Sequence, residues 1–417
     1  MNQNSFSKLF FITFFVFALG GQISVFADTK KTQIKENSNA ISSEAFVQWK
    51  NDFAVLAKKE GVTPAFVDFI ITRMELLPSV VRSDRNQPEF LTGFWEYTDR
   101  AVSFERIKKG REMLYRHAKQ LNDVALKYDV PAHYLVAFWG LETNYGTHKG
   151  NVSTLNALTT LAFDQRRRNF FTRELITFLK IMDREKTLDF KGSWAGAFGH
   201  FQFMPTTYMA YAVDGNNDGS VDVVHDLDDA FASAANYLKT MRWQKNIRWG
   251  REVVLQKKLD WTQFDYDTEQ PLHVWEKLGV VPADGTQWKA EDKEISAVLR
   301  MPAGIDGPLF LTYDNFKTIM RWNKSELYAL AVGLLADRIS DQSDRIYKTR
   351  VHRPLSYANV KQIQSRLREL GYYTGEIDGR PGAGTRTAVK AYQKDNGLPQ
   401  DGFMDEKLLN KIKGYNK

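Results

Sequence analysis

The stretch Phe138-Trp-Gly-Leu-Glu-Thr-Asn-Tyr-Gly146 organises the reading of this chain. It sets one carboxylate, Glu142, at the end of an unusually apolar helix and follows it with polar residues and a glycine. Pro131 can open that helix. Leu135, Phe138 and Glu142 then share one face at spacings of three and four, so Glu142 continues an apolar stripe. A carboxyl group held against aliphatic and aromatic walls loses hydration of its charged form. Its pKa is therefore expected to rise, and it can stay protonated near neutral pH as a general acid must. A Glu in a last helical turn can equally face water, since perturbed carboxylates are also structural. The rest of the chain weighs between the two readings.

Residues 1–27 run from Lys8 through an apolar block, Leu9 to Leu19, to Val25-Phe-Ala27 and a sharply polar Asp28-Thr-Lys-Lys31. This is the layout of a secretory signal peptide cleaved after Ala27. The apolar core is short for a membrane anchor. There is no cysteine, so neither a lipid-attachment thiol nor a disulfide framework is available. A soluble, exported, periplasmic protein is expected. Roughly 390 residues remain after cleavage, enough for two or three domains, and none of them forms a span. Losing Lys8 lowers the formal charge of +7 by one. That modest excess favours anionic partners. Export and the lack of a coherent basic stripe argue against nucleic acid, and an anionic wall polymer fits better. The 28 Phe, 17 Tyr and 10 Trp are more than a core alone needs, and aromatic faces commonly line sugar-binding grooves.

Residues 28–43 read as a disordered lead-in. Phe46, Trp49, Phe53 and Leu56 give an amphipathic helix ended near Gly61, and Thr63-Pro64 starts another. Gln87 to Tyr97 is aromatic without a strong period and suits a groove wall. A longer helix is expected from about Ser103 to Lys127. Ser153 and Thr154 can cap a further helix. The charge cluster Asp164 to Arg168 reads as a solvated helix end, and the helix after it spans Phe170 to Met182.

Gly192-Ser-Trp-Ala-Gly-Ala-Phe-Gly-His-Phe-Gln-Phe-Met-Pro-Thr-Thr207 is the second informative stretch. Its glycines allow tight turns and close approach of a ligand. Ser193 offers a hydroxyl, Gln202 offers both donor and acceptor, and Pro205 starts a helix. A packed turn without a ligand is the alternative. The third stretch, Asp214-Gly-Asn-Asn-Asp-Gly-Ser-Val-Asp222, has oxygen ligands at every second position and Gly219 sixth. It matches the first half of an EF-hand calcium loop. His225 stands at the twelfth position where that motif wants Glu, with Asp226, Asp228 and Asp229 just beyond. A plain Asn/Asp/Gly turn is the other reading. An amphipathic helix after Asp229 carries Asn236 and Tyr237. From Arg248 to Tyr313 short β-like runs, such as Glu252 to Gln256 and Glu294 to Leu299, read as small hairpins inserted in a helical domain. Asn323-Lys-Ser325 can cap the helix Glu326 to Ile339. Residues 341–357 suit a linker, and 358–417 form a separate unit in which Thr385 caps the second helix. The loop Gly379 to Thr385 lacks the Lys-Ser/Thr pair of a phosphate cradle.

Together Gly140-Leu-Glu-Thr-Asn-Tyr-Gly146, Gly196-Ala-Phe-Gly-His-Phe-Gln-Phe-Met-Pro205, the Asp214 loop and Ala234-Ala-Asn-Tyr237 resemble the lytic murein transglycosylase B family, over roughly residues 45–340. The tail resembles a peptidoglycan-binding module through Val360 to Leu367, Gly371-Tyr-Tyr, Ile377-Asp-Gly379 and Gly397-Leu398. The resemblance implies a mainly α fold: a lysozyme-like catalytic domain at 44–340 with small β-hairpin insertions, plus a small three-helix C-terminal module. It implies cleavage of the bond between N-acetylmuramic acid and N-acetylglucosamine in peptidoglycan glycan strands. The family's catalytic Glu falls on Glu142 and its sugar-contacting Ser and Gln on Ser193 and Gln202. Tyr237, Asn323 and, in a looser motif, Tyr97 match groove positions. The metal loop falls on Asp214, Asn216, Asp218 and Ser220, with Asp229 closing, which implies a structural calcium ion. No organic cofactor and a monomeric state are expected.

An ordinary glycosidase needs two carboxylates, about 5 to 9.5 Å apart, whereas only Glu142 has a convincing setting. The family chemistry resolves that shortage. Glu142 protonates the leaving oxygen, the substrate's N-acetyl group stabilises the cation, and Glu142 then deprotonates the C6 hydroxyl that attacks C1. The product is a 1,6-anhydro end. A hydrolytic muramidase using Asp164 or Asp189 to activate water, and a non-catalytic wall-binding scaffold, are the rivals.

Overall fold

The computed structural model describes residues 43–414 apart from 86–92, 186, 187, 189, 265, 341–345 and 347–354. The expected signal peptide, nearly all of the expected lead-in, most of the expected linker and Asp189 therefore lie outside the described residues. The chain divides into two compact units: one takes the described residues up to 86 together with 142–234, the other takes 87–141 and 235–417.

In the unit holding 142–234, helices span Ser43–Lys59, Pro64–Ile71, Pro78–Arg85, Thr154–Phe163, Arg168–Glu185 and Pro205–Tyr211. The first begins one residue inside the expected lead-in and ends where Gly61 takes φ +90°. Trp49 stacks on Phe53 and meets the edge of Phe163, which covers part of the helix's apolar face, while Leu56 stays exposed. Ser153 accepts a hydrogen bond from the Asn156 amide and caps the Thr154–Phe163 helix as expected. Strands β1 (Val152–Ser153) and β2 (Lys191–Gly192) pair antiparallel, with Val152 opposite Gly192.

The charge cluster is solvated only in part: Gln165, Arg166 and Arg168 are exposed, but two of its cations pair with a buried acid. Asp84 is 4% exposed and pairs with Arg166 at 3.0 Å and with Arg167. A carboxylate buried at the end of a short helix needs such partners. Its cations lie 82 and 83 residues further along, beyond the reach of a local reading. Asp164 is likewise committed, to the Arg166 amide at 2.9 Å and to Arg85 at 3.4 Å.

In the other unit the expected long helix is two, Phe104–Arg116 and Ala118–Tyr128, broken at His117 with φ −106° and ψ 23°. The irregular aromatic stretch is helical where it is described: Phe94–Ala101 forms a helix that buries Phe94, Tyr97 and Ala101. Ser325 caps the helix Glu326–Ile339 through the Tyr328 amide. This helix buries nearly its whole circumference, as a central core helix does. Beside it the Arg248 guanidinium pairs with Asp337 at 2.9 Å, and the same carboxylate accepts from the Trp249 indole at 3.0 Å.

The β-like runs do not form separate hairpins. Strands β3 (Gly250–Leu255), β4 (Glu269–Pro271), β5 (Val280–Pro282), β6 (Ser296–Arg300) and β7 (Leu309–Thr312) build one antiparallel sheet in the order β4-β6-β7-β3-β5. Its centre joins Gly250 to Thr312, a pairing across sixty residues that alternation within each run cannot reveal. Trp275 and Trp288 lie in its core and donate their indole N–H groups to Ala297 and Val280 carbonyls.

The C-terminal module has three helices, Tyr357–Glu369, Ala383–Asp395 and Glu406–Ile412, around Ile363, Leu367, Val389 and Leu408. Thr385 is not the cap. The second helix starts at Ala383, and the Thr385 hydroxyl instead meets the fully buried Gln364, whose amide also bonds Asp378 and Gly379. The module touches the sheet region through Gln400, which donates to the Phe264 carbonyl, and through Asp401, which accepts from the Ile305 amide. Burial pushes the Asp401 carboxyl up to about 6.

Candidate active site

Glu142 occupies the last turn of the helix Ala132–Thr143, 7% exposed. Leu135 and Phe138 on the same face are wholly buried, and Phe138 packs against Trp322 at 4.7 Å. After Thr143 the backbone turns left-handed at three consecutive residues, Asn144, Tyr145 and Gly146, with φ of 49°, 61° and 78°. Only the last is a glycine, so the first two carry real conformational cost, which surrounding structure must offset.

Thr143 does much of that. Its hydroxyl accepts from the Gly146 amide at 3.0 Å and donates to the His200 carbonyl at 2.8 Å. One fully buried oxygen therefore locks the turn after Glu142 and ties it to the glycine-rich loop. Thr143→Val keeps the shape and removes both bonds. We expect it to lower stability by about 1–2 kcal/mol and catalytic activity roughly ten-fold, measured by thermal melting and by turnover on the same preparation.

The loop itself is held by its own backbone. Ser193 and Ala197 bond reciprocally, with the Ser193 amide 2.8 Å from the Ala197 carbonyl and the Ala197 amide 3.1 Å from Ser193 Oγ. Phe198 and Phe203 exchange both backbone bonds, at 3.0 and 2.9 Å. Between them Gln202 takes φ +50°. Its Nε2 donates to the carbonyls of Lys149 at 3.1 Å and Gly199 at 3.0 Å. Carbonyls only accept, so the amide orientation is fixed and both N–H groups are used. What Gln202 keeps for a ligand is its acceptor, Oε1. Ser193 is complementary: Oγ accepts from Ala197, and its proton has no acceptor among the described residues. The pair presents one acceptor and one donor, both nearly buried.

Lys149 is held in turn, its ammonium 2.6 Å from the Val224 carbonyl. Gly150, at φ +90°, brings this segment so close to the loop that a Cβ there would lie 2.1 Å from the Gly192 carbonyl oxygen.

The Asp214 loop follows on the same unit. Asp214 accepts from the Asn217 amide at 2.6 Å and the Gly219 amide at 2.8 Å, and Asp218 accepts from Ser220 at 2.8 Å. Asn216 donates to Asp218 and to Asp226, at 3.1 and 2.9 Å. Asp229 does not precede the following helix but lies in its first turn, Leu227–Thr240, 1% exposed. It accepts from the Gly215 and Asp222 amides at 2.7 and 2.6 Å. Burial raises the Asp229 pKa, its two backbone donors lower it, and the Asp226 and Asp214 charges add to the rise. The donor set is all oxygen, as a hard cation requires, and its like charges are what a divalent ion would neutralise. In the described residues the carboxylate oxygens are engaged by backbone N–H groups and by the Asn216 amide, and no group of three or more His, Asp or Glu is arranged to hold a metal.

The structure thus brings Glu142, Ser193, Gln202 and the acidic loop together in one unit. Tyr97, Tyr237 and Asn323 belong to the other. Tyr97 is 5% exposed. Tyr237 donates its hydroxyl to the Arg321 carbonyl at 2.9 Å and meets Trp322 edge-on at 4.9 Å. Asn323 accepts from the Ser325 amide at 2.9 Å. Sequence reasoning missed Thr143 and the Lys149 carbonyl, which act through bonds to backbone and leave no pattern. It also missed Glu174, whose signal was a lone charge in the apolar stripe Phe171, Leu175, Phe178.

The fold and the site define a lysozyme-like helical enzyme with an appended three-helix module. The chain belongs to the transglycosylase SLT domain family, whose model matches residues 45–337, and residues 356–412 match a putative peptidoglycan-binding domain. Membrane-bound lytic murein transglycosylase B of Escherichia coli K12 is 30% identical over 297 residues, covering 68% of this chain and 80% of that protein. SltB3 from Pseudomonas aeruginosa, solved with NAG-NAM-pentapeptide, is 38% identical with a TM-score of 0.80, over 88% of this chain and 99% of that one. The Escherichia coli lytic transglycosylase Slt35 in complex with calcium is 29% identical with a TM-score of 0.59, over 70% and 93%. No helix among the described residues is long and apolar enough to cross a membrane.

Proposed function

We propose that this enzyme is exported to the periplasm, where it cleaves the β-1,4 bond between N-acetylmuramic acid and N-acetylglucosamine and leaves 1,6-anhydromuramic acid ends. The observation that carries the reading is a single carboxyl, Glu142, buried at a helix end whose turn is tied to the Gln202 loop. Burial penalises the charged form of a carboxyl group, so this is a setting for an acid. Glu142 donates its proton to the leaving glycosidic oxygen. The substrate's own N-acetyl group stabilises the cation at C1. Glu142, now a carboxylate, removes the proton of the muramic acid C6 hydroxyl, and that oxygen bonds to C1. One residue acts first as acid and then as base, and the net reaction adds no water.

Gln202 Oε1 accepts a sugar hydroxyl or amide proton, and the Ser193 hydroxyl donates to a sugar oxygen. This fits an acetamido group, which has one of each. Tyr97, Tyr237 and Asn323 are taken as further glycan contacts on the family resemblance alone. The NAG-NAM-pentapeptide bound by SltB3 and the peptidoglycan-binding match of the tail support the same polymer as substrate and partner. Digestion of purified sacculi tests the reading: soluble fragments should resist borohydride reduction at their muramic acid ends. Reducible ends would mean hydrolysis. Asp164 is poorly placed for that rival, because its carboxylate is engaged by Arg85 and the Arg166 amide.

Asp214, Asn216, Asp218, the Ser220 carbonyl and Asp229 would hold a calcium ion with a structural role, in keeping with the calcium complex of Slt35. Millimolar calcium is expected to raise the melting temperature by several degrees and to leave the cleavage rate of folded enzyme unchanged. A chelator that stops catalysis without lowering the melting temperature would contradict this.

A further inference from the structure

Glu174 lies in the middle of the helix Arg168–Glu185, on the face that buries Phe171, Leu175 and Phe178. It is 1% exposed. A carboxylate in such a position is costly unless its oxygens are used. Both are used, and by one residue: the Thr206 amide donates to Oε2 at 2.9 Å, and the Thr206 hydroxyl donates to Oε1 at 2.7 Å. Burial pushes this carboxyl above the usual range, and the two bonds from Thr206 pull it back.

Thr206 is the second residue of the helix Pro205–Tyr211. The residue that should cap this helix is Met204, which has no side-chain acceptor, and Pro205 has no N–H to offer. Glu174 therefore supplies from another helix the cap that the local sequence lacks. Four residues before Thr206 is Gln202. The intervening chain is short and stiff: Phe203 is bonded at both backbone groups to Phe198, and Pro205 has a fixed φ. Gln202 itself sits at a strained φ of +50°, so its conformation depends on both ends of the loop being held. Thr143 and Lys149 hold the side toward Glu142. Glu174 holds the far side.

We propose that Glu174 is a positioning residue for the reaction: by clamping Thr206 it fixes the downstream end of the Gln202 loop and so sets where Gln202 Oε1 meets the sugar. The proposal rests on the reading of Gln202 as a sugar contact. Its effect reaches the substrate only through Gln202, which distinguishes it from a purely structural cap. Glu174→Gln keeps the shape and an acceptor for the Thr206 amide, but it replaces the charged partner of the Thr206 hydroxyl with a neutral NH2 toward which that hydroxyl must reverse and accept, which loosens the clamp. Thr206→Val removes only the hydroxyl and guards against a Glu174 variant that does not fold.

The test is a double-mutant cycle on a soluble glycan fragment, with kcat and KM measured for wild type, Glu174→Gln, Thr206→Val, Gln202→Ala and each of the first two combined with Gln202→Ala. Glu174→Gln and Thr206→Val should each lower kcat/KM about ten-fold. In the Gln202→Ala background either change should cost less than two-fold. The proposal is overturned if the losses multiply, if both variants lose stability with wild-type kinetics, or if Gln202→Ala alone is as active as wild type. Wild-type enzyme that releases no fragments would instead overturn the functional reading, and the proposal with it.

Discussion

Glu142→Gln should abolish glycan cleavage, by roughly 10³-fold or more, while the melting temperature and the retention of the protein on purified sacculi stay close to wild type. The size of the effect follows from the number of jobs the residue holds. In a two-carboxylate glycosidase, loss of one group leaves the other to act. In the proposed mechanism one group both gives and takes the proton, and glutamine can do neither. The fold should tolerate the change because the amide has the same shape and Glu142 stands at a helix end. Wall binding should persist because the three-helix module at Tyr357–Ile412 has its own core and its own buried Gln364 hub. Substantial turnover by this variant would end the assignment.

Gly192→Ala should be nearly as damaging through a different cause. A Cβ at residue 192 would stand 2.1 Å from the Ala197 carbonyl oxygen and 3.1 Å from the Thr154 hydroxyl. The first of these is backbone, so no rotamer change relieves it. Either β2 moves off β1, where Gly192 pairs with Val152, or the turn that joins Ser193 to Ala197 opens. Both routes move Ser193, and the second also disturbs the Phe198–Phe203 pairing that frames Gln202. Overpacking of this kind costs about 1–3 kcal/mol, and a displacement near 1 Å at a group proposed to contact the sugar is worth about 10²-fold in rate. Thermal melting and fragment release from sacculi, measured on the same preparation, separate the two losses. Wild-type activity in a destabilised protein would show that the loop's shape is not what the site requires.

Much of this was legible in the sequence because it is local. The spacing of Leu135, Phe138 and Glu142 gave the helix and its buried face, and the structure ends that helix at Thr143. The glycines at 192, 196 and 199 marked a tight loop, and two of them take positive φ. What was not legible depends on partners distant in the chain. The sheet was read as hairpins because alternation shows each strand but not that Gly250 meets Thr312. The Asp164–Arg168 cluster is largely exposed, as a charge run suggests, but its pairing with buried Asp84 was not legible because that acid lies on another helix. Tyr97 was placed in an irregular wall because its helix is only eight residues long and starts at a glycine with no side-chain cap. Tyr97, Tyr237 and Asn323 entered through family resemblance rather than through their own chemistry. Their polar atoms are partly engaged inside the fold, as the Tyr237 hydroxyl on the Arg321 carbonyl illustrates. Glu174 was visible as an anomaly in an apolar stripe, but only the distance to Thr206 gave it a role.

The most direct test of the central claim is digestion of sacculi in water enriched in heavy oxygen, followed by mass spectrometry of the released glycan fragments. If Glu142 directs the muramic acid's own C6 oxygen onto C1, the new ends should be one water lighter than hydrolysis products and carry no heavy oxygen. Ends that are heavier by one incorporated water oxygen would contradict the account and identify a hydrolase with a second catalytic group.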